Sequence, residues 1–296
     1  MTDSWELRSG DAITPHLDTI KVLGGGKQHE VVLATDDRRL TTVVVKLLRP
    51  DNRDDRGLAI LREEAERLET VRHAAYPRLL ELADAGERPH LVMEHVEGPR
   101  LSRLVKRFGP LSLEQLLPLA IDVAGALHYL HGLRMVHLDV KPGNLVVSDR
   151  VRVIDLGLAR TFASAAGLSG RLGTISWMAP EQHRPAESEV GPAADVWGWG
   201  AVLLFAATGD WPIRRLRREG GDTWVLSEPD TDHITIPGTL PDELASCLSD
   251  ALSWRPTDRP SPAALARRLE PLVDALPRRP VLGRLRPKFT TPRPSA

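Results

Sequence analysis

The chain has 296 residues, 42% of them apolar and 27% charged, with a formal charge of −1. This is ordinary globular composition for about two domains' worth of chain, and it excludes a disordered or fibrous protein and a strongly basic nucleic-acid binder. A single cysteine, Cys247, excludes an internal disulfide framework and a Cys-rich zinc site, and it reads as a small buried hydrophobe. No stretch reaches the ~20 apolar residues of a membrane span. The best, residues 196–209, is short and bounded by Asp195 and Asp210. The acid-containing start, residues 1–10, does not read as a secretory signal. A cytoplasmic location without nucleic-acid or membrane partners is the expectation.

In chain order, residues 17–23 and 30–35 predict two short strands around Gly24-Gly25-Gly26. Residues 40–48 are β-branched and predict a third strand, ending near Lys46. Residues 58–71 carry Leu61, Ala65 and Leu68 at helical spacing. Residues 79–82 and 90–94 predict two more strands. After Gly98-Pro99 the pattern turns helical. Ser112 and Gln115 form a capping-box pair ahead of a helix over 116–130, which Pro118 is expected to kink or delay. Residues 145–147 and 151–154 flank Ser148-Asp149-Arg150 as a hairpin. Helices follow at 196–207 and 240–252. The arginine run at 214, 215, 217 and 218 reads as a solvated helix face, and 219–237 as an irregular insertion. His128 and His131, i and i+3, read as packing residues because no third metal ligand is visible. Residues 277–296 hold five prolines, Arg278, Arg279, Arg284, Arg286, Lys288 and Arg293, with no acid. They predict an extended tail that could dock an acidic partner. The expected fold is α+β, a small β-rich lobe with one helix followed by a larger helical lobe, with a ligand between them.

The chemistry concentrates at a few points. Successive glycines let backbone N–H groups approach phosphate closely. Lys46 ends an apolar strand, where an ammonium needs a partner. Glu64 flanks the Leu61/Leu68 stripe and so points toward the sheet, where Lys46 can meet it. His137-Leu138-Asp139-Val140-Lys141-Pro142-Gly143-Asn144 supplies a carboxylate, an ammonium and an amide oxygen within six positions. Phosphoryl transfer to a hydroxyl uses these three. The hairpin then returns Asp155 of Asp155-Leu156-Gly157 beside Asn144, pairing two hard oxygen ligands suited to Mg²⁺.

In these motifs the chain resembles the eukaryotic-like (bacterial-type) serine/threonine protein kinase family over roughly residues 20–276. The resemblance implies a two-lobed kinase fold, with an N-lobe over about 1–94, a hinge at 94–98 and a C-lobe at 99–276. Gly24, Gly25 and Gly26 match the glycine-rich loop, Val43-Val44-Val45-Lys46 the strand lysine and Glu64 the αC glutamate. Residues 90–98 match the hinge, and Ala179-Pro180-Glu181 the end of the activation segment. Asp195-Val196-Trp197-Gly198-Trp199-Gly200 matches the start of the buried αF helix, and Arg259 the late arginine that pairs with Glu181. It further implies that Leu23, Val31, Val44, Met93, Glu94 and Val96 enclose the adenine of ATP. Lys46, held by Glu64, would grip the α- and β-phosphates. Asp139 would be the catalytic carboxylate and Lys141 would reach the γ-phosphate. Asn144 and Asp155 would bind Mg²⁺ or Mn²⁺, and Thr174 would contact Asp139 and Lys141. The substrates implied are ATP and protein Ser/Thr hydroxyls, with self-modification included.

Several positions depart from the family pattern. His29 stands at the third glycine of the loop and Gln28 at the preceding aromatic; Val44 replaces alanine and Leu156 phenylalanine. Leu138 stands where most members carry an arginine that receives an activation-segment phosphate. Leucine cannot do so, which predicts activity without that modification. Two rival readings are a pseudokinase that holds nucleotide without turnover and a small-molecule kinase of related fold.

Overall fold

The computed structural model describes residues 3–186, 188–210, 216–218, 224–226 and 234–277. The first lobe is a sheet of six strands: β1 (Ala12–Thr14), β2 (Leu17–Gly25), β3 (His29–Asp36), β4 (Thr41–Leu48), β5 (Leu79–Ala83) and β6 (His90–Glu94), in the order β1-β2-β3-β4-β6-β5. All its pairings are antiparallel. Side chains alternate between faces. Val43, Val45 and Leu47 on β4 therefore join Leu17, Val32, Ala34 and Val92 in a buried layer. Val44 and Lys46 face the other way, together with their register partners Leu33 and Val31. The sequence does not forecast what covers the first face. Residues 5–13 fold back over it, burying Leu7 and Ile13. The Trp5 indole N–H donates to the Leu48 carbonyl at 2.7 Å.

Helix α1 (Asp55–Thr70) starts earlier than the apolar spacing suggests, because Asp54 caps it by accepting from the Gly57 N–H at 2.8 Å. Its buried stripe is Leu61, Glu64, Ala65 and Leu68, so one carboxylate lies within an apolar face. The second lobe contains α2 (Leu101–Phe108), α3 (Leu113–Gly132), β7 (Met135–Val136), the hairpin β8 (Leu145–Val147) and β9 (Val151–Val153), β10 (Arg160–Thr161), α4 (Phe162–Ala166), α5 (Pro180–His183) and α6 (Pro192–Thr208). Gln115 accepts from the Ser112 N–H at 3.1 Å, so α3 begins at its cap. Pro118 lies inside α3 and does not delay it. Helix α6 is buried almost all round and stops at Gly209, whose φ of +75° a side chain would disfavour.

The arginine run corrects one expectation. Arg217 and Arg218 lie in β11 (Leu216–Arg218), which pairs with β12 (Trp224–Leu226), not on a helix; Arg214 and Arg215 lie outside the described residues. The ladder of backbone hydrogen bonds overrides a charge pattern that fits either element. Helices α7 (Asp242–Ala251) and α8 (Pro262–Asp274) close the lobe. Cys247 is buried in α7, and burial pushes its thiol up to about 11. No helix among the described residues is long and apolar enough to cross a membrane. The basic stretch 278–296 lies outside the described residues.

Candidate active site

The site is assembled from both lobes. On β4, the Lys46 ammonium sits 2.7 Å from both carboxylate oxygens of Glu64 and 3.3 Å from Asp155 Oδ1. Glu64 is 1% exposed, so its charge requires this partner. Burial alone would lower the Lys46 pKa, but the Glu64 and Asp155 carboxylates outweigh it and raise it. Burial would raise Asp155; the Lys46 ammonium and the Gly157 N–H overcome that and hold it at about 2. A second tie joins α1 to the same turn, where Arg67 Nη1 donates to the Gly157 carbonyl at 3.0 Å.

The Asp155 turn is placed by the hairpin. Leu145 registers with Val153, and the Ile154 N–H donates to the Asn144 carbonyl at 2.8 Å. Asn144 and Asp155 are thereby brought together from eleven positions apart. Asn144 Nδ2 donates to the Asp139 carbonyl and to Asp139 Oδ2, both at 3.0 Å. That turns its amide oxygen away from Asp139. Among the described residues no three His, Cys, Asp or Glu cluster as a metal cage. One carboxylate and one amide oxygen fit a divalent cation that takes its remaining ligands from phosphate and water.

Asp139 is 7% exposed and fully engaged. Its Oδ2 accepts from Lys141 Nζ at 2.6 Å. Its Oδ1 accepts from the Thr174 hydroxyl at 2.7 Å and the Thr174 N–H at 3.0 Å. Lys141 Nζ also donates to the Thr174 hydroxyl at 2.6 Å, closing a three-residue ring. The loop is held from beneath by Asp195 on α6, which accepts from the His137 and Leu138 N–H groups at 2.8 Å each. His131 Nε2 lies 2.9 Å from the same carboxylate. Burial would raise Asp195, but His131 and His137, the latter partly through its backbone N–H, lower it. So His131 positions the anchor; the bare i, i+3 spacing carried no sign of this. Leu138 and Asp155 both take positive φ, +65° and +74°. Such conformations are uncommon for bulky residues and collect at functional loops.

The remaining expected residues differ in exposure. Leu23, Val31, Val44 and Val96 are half-buried, Met93 is buried, and Gly24, Gly25 and Gly26 are exposed. A Cβ at Gly25 would lie 2.4 Å from the His29 carbonyl, so only glycine fits that turn. Glu94 needs one refinement. Its carboxylate forms a two-point ion pair with Arg152, at 2.7 and 3.0 Å, away from the cleft. Only its backbone can serve a nucleotide. At the far end of the activation segment Arg259 and Glu181 pair through two contacts of 2.7 and 2.9 Å, both side chains essentially unexposed. Gln182 Nε2 donates to the Leu138 and Leu172 carbonyls at 2.9 Å, tying that segment to the catalytic loop. Arg67, Arg152 and Gln182 have no pattern in the sequence that marks them, because each acts through a backbone carbonyl or a distant acid.

Comparison with known proteins identifies the family. The family model described as "Protein kinase domain" matches residues 17–269. Among similar proteins are the serine/threonine-protein kinase PknB of Mycobacterium leprae, 34% identical over 205 residues, and AfsK of Streptomyces coelicolor, 36% identical over 187 residues. These alignments cover 65% and 62% of this chain but 32% and 22% of the relatives. The chain thus spans a third or less of the curated relatives it matches. Two lobes, a buried lysine–glutamate pair in the first that reaches Asp155 of the second, and a family match over most of the sequence lead to one assignment: the chain belongs to the protein kinase family, with bacterial serine/threonine kinases among its relatives.

Proposed function

We propose that the protein transfers the γ-phosphoryl group of ATP to serine or threonine hydroxyls of proteins, with Mg²⁺ as the working metal and Mn²⁺ as a substitute. The observation that carries this reading is the ring of Asp139, Lys141 and Thr174, whose members lie within 2.7 Å of one another. Asp139 is poised to orient an attacking hydroxyl and accept its proton. As the new oxygen–phosphorus bond forms, the bond from the γ-phosphorus to the β,γ-bridging oxygen breaks, and ADP leaves with that electron pair. Lys141 offsets charge on the moving group, and Lys46, fixed by Glu64, orients the inner phosphates. Asn144 and Asp155 would hold the divalent ion, which neutralises phosphate charge when bound.

Thr174 also favours a protein substrate over a metabolite. It links the catalytic loop to the segment running into Ala179-Pro180-Glu181, a platform on which an extended peptide can lie. The pseudokinase reading is not favoured, because Lys46, Glu64, Asp139, Lys141, Asn144 and Asp155 are all present and mutually engaged. Incubation with labelled ATP, Mg²⁺ and a generic peptide tests the proposal, with Asp155→Asn as control. Label on peptide or on the protein itself with wild type alone supports it; equal label with both variants refutes it. Mapping the modified residues decides between Ser/Thr and other acceptors. A parallel screen of hydroxylated metabolites distinguishes the small-molecule alternative.

A further inference from the structure

His29 occupies a position where the family pattern has glycine, and the site described so far does not use it. It opens β3 directly after the glycine turn. Strand alternation puts it on the same face as Val31, which registers with Lys46; His29 itself registers with Leu48. This is the cleft face, opposite the layer made by Val32 and Ala34. The residue is 8% exposed, yet its ring Nε2 has no hydrogen-bond partner among the described residues. Its charged surroundings are Lys46 on β4 and Asp155 beyond β9. Other histidines carry an unpartnered ring nitrogen too: His16 and His90 lie beside Glu81, away from the phosphate-facing lysine, and His137 is wholly buried within the catalytic loop, whereas His29 directly follows the glycine turn.

A buried polar atom without a partner is costly, and native structures retain one where a ligand or water completes it. The ring follows the glycine turn and lies within the fields of Lys46 and Asp155, so a group that completes it comes from that side of the sheet. The kinase reading puts the terminal phosphates of ATP there. Burial and the Lys46 ammonium together hold the ring neutral, at a pKa of about 4. A neutral imidazole still carries one N–H donor.

We propose that His29 is a phosphate-contacting residue of this cleft, its Nε2–H donating to a β- or γ-phosphate oxygen of the bound nucleotide. The side chain thus adds to the glycine turn a directional donor that a third glycine would lack. This inference rests on the kinase reading, and the test separates the two. Affinities for MgATP, MgADP, AMP and adenosine are measured by calorimetry on wild type, His29→Ala and His29→Gln, with thermal melts verifying folding. The expectation is that His29→Ala weakens MgATP about tenfold, as loss of a hydrogen bond to a charged group does. Adenosine binding stays unchanged, and His29→Gln, which keeps an amide donor at similar reach, recovers most of the loss. Peptide phosphorylation should show the same pattern in KM for ATP. Wild type that binds no MgATP overturns both readings. Wild type that binds it, with His29→Ala unchanged or with ATP and adenosine weakened equally, overturns the role of His29 alone.

Discussion

Leu138 puts an apolar side chain at the position beneath the activation segment. It is 3% exposed and packs with Trp177, Ala179 and Trp197 in an apolar cluster under the activation segment. No guanidinium stands at this position to receive a phosphate, and the segment already engages the loop through Thr174 and Gln182. Activity should therefore survive removal of the nearby hydroxyls. Thr161 caps α4 by accepting from the Ser164 N–H, so asparagine is the right replacement there. Thr161→Asn, Ser164→Ala and Ser169→Ala combined should keep peptide phosphorylation within about twofold of wild type. Loss of turnover in a variant that still melts cooperatively would contradict this. His29 yields a second residue-level prediction. Its folded pKa of about 4 lies below the ordinary 6.5, so between these values only the unfolded chain carries the proton. Stability must then fall as pH drops below ~6.5 and level off near 4, by roughly 3 kcal/mol at most. Denaturant melts of nucleotide-free, metal-free protein at pH 7 and pH 5 should show wild type losing more than His29→Gln. Equal losses would mean the ring is not held neutral.

At the scale of elements, α6 determines where the catalytic loop sits. Its Asp195 accepts from two loop N–H groups, and Gly198 one turn on lets Val140 approach. A Cβ at Gly198 would lie 2.7 Å from the Val140 Cβ, too close without movement. Gly198→Ala should cost about 1–3 kcal/mol by overpacking. Because Val140 lies between Asp139 and Lys141, kcat should fall while nucleotide affinity holds. Chemical denaturation and steady-state kinetics check the two halves separately; a change in ATP affinity alone would place the strain elsewhere. Much of this was legible in the sequence. Asp139, Lys141, Asn144 and Asp155 were marked by close spacing and by a hairpin that returns the chain on itself, both local signals. Glu64 was marked by its offset from the Leu61/Leu68 stripe. The link between Asp195 and His131 was not legible, since it spans 64 positions and depends on how α3 crosses α6. Nor was the cover supplied by residues 5–13, because a tryptophan caught between Arg53 and Arg88 has no periodicity to reveal it.

For the molecule as a whole, the question is how the two lobes communicate. The loop after α1 is fixed to the second lobe: the Tyr76 hydroxyl donates to the Ala126 carbonyl at 2.9 Å, and the Val153 N–H to the Ala75 carbonyl at 2.7 Å. The C-terminal end of α1 is therefore pinned to α3 and β9. Farther up the helix, Glu64 reaches the cleft through Lys46, and Lys46 reaches the second lobe through Asp155. Asp155 is thus shared between an ammonium from one lobe and the proposed metal of the nucleotide. Occupancy of the cleft should then tighten the whole chain in a metal-dependent way. A ligand at a hundred times its Kd stabilises by about 2.7 kcal/mol, which for a chain of this size raises Tm by roughly 5 °C. ADP with Mg²⁺ should produce that rise in wild type, and EDTA should remove most of it. Asp155→Asn should show the smaller, EDTA-insensitive rise at all times, because adenine contacts persist while the metal carboxylate is gone. Scanning calorimetry of both proteins without ligand, with ADP and Mg²⁺, and with ADP, Mg²⁺ and EDTA reads this directly. A metal-dependent rise of equal size in Asp155→Asn would mean that the cation is held elsewhere, and that the contact between Lys46 and Asp155 joins the lobes without serving the phosphates.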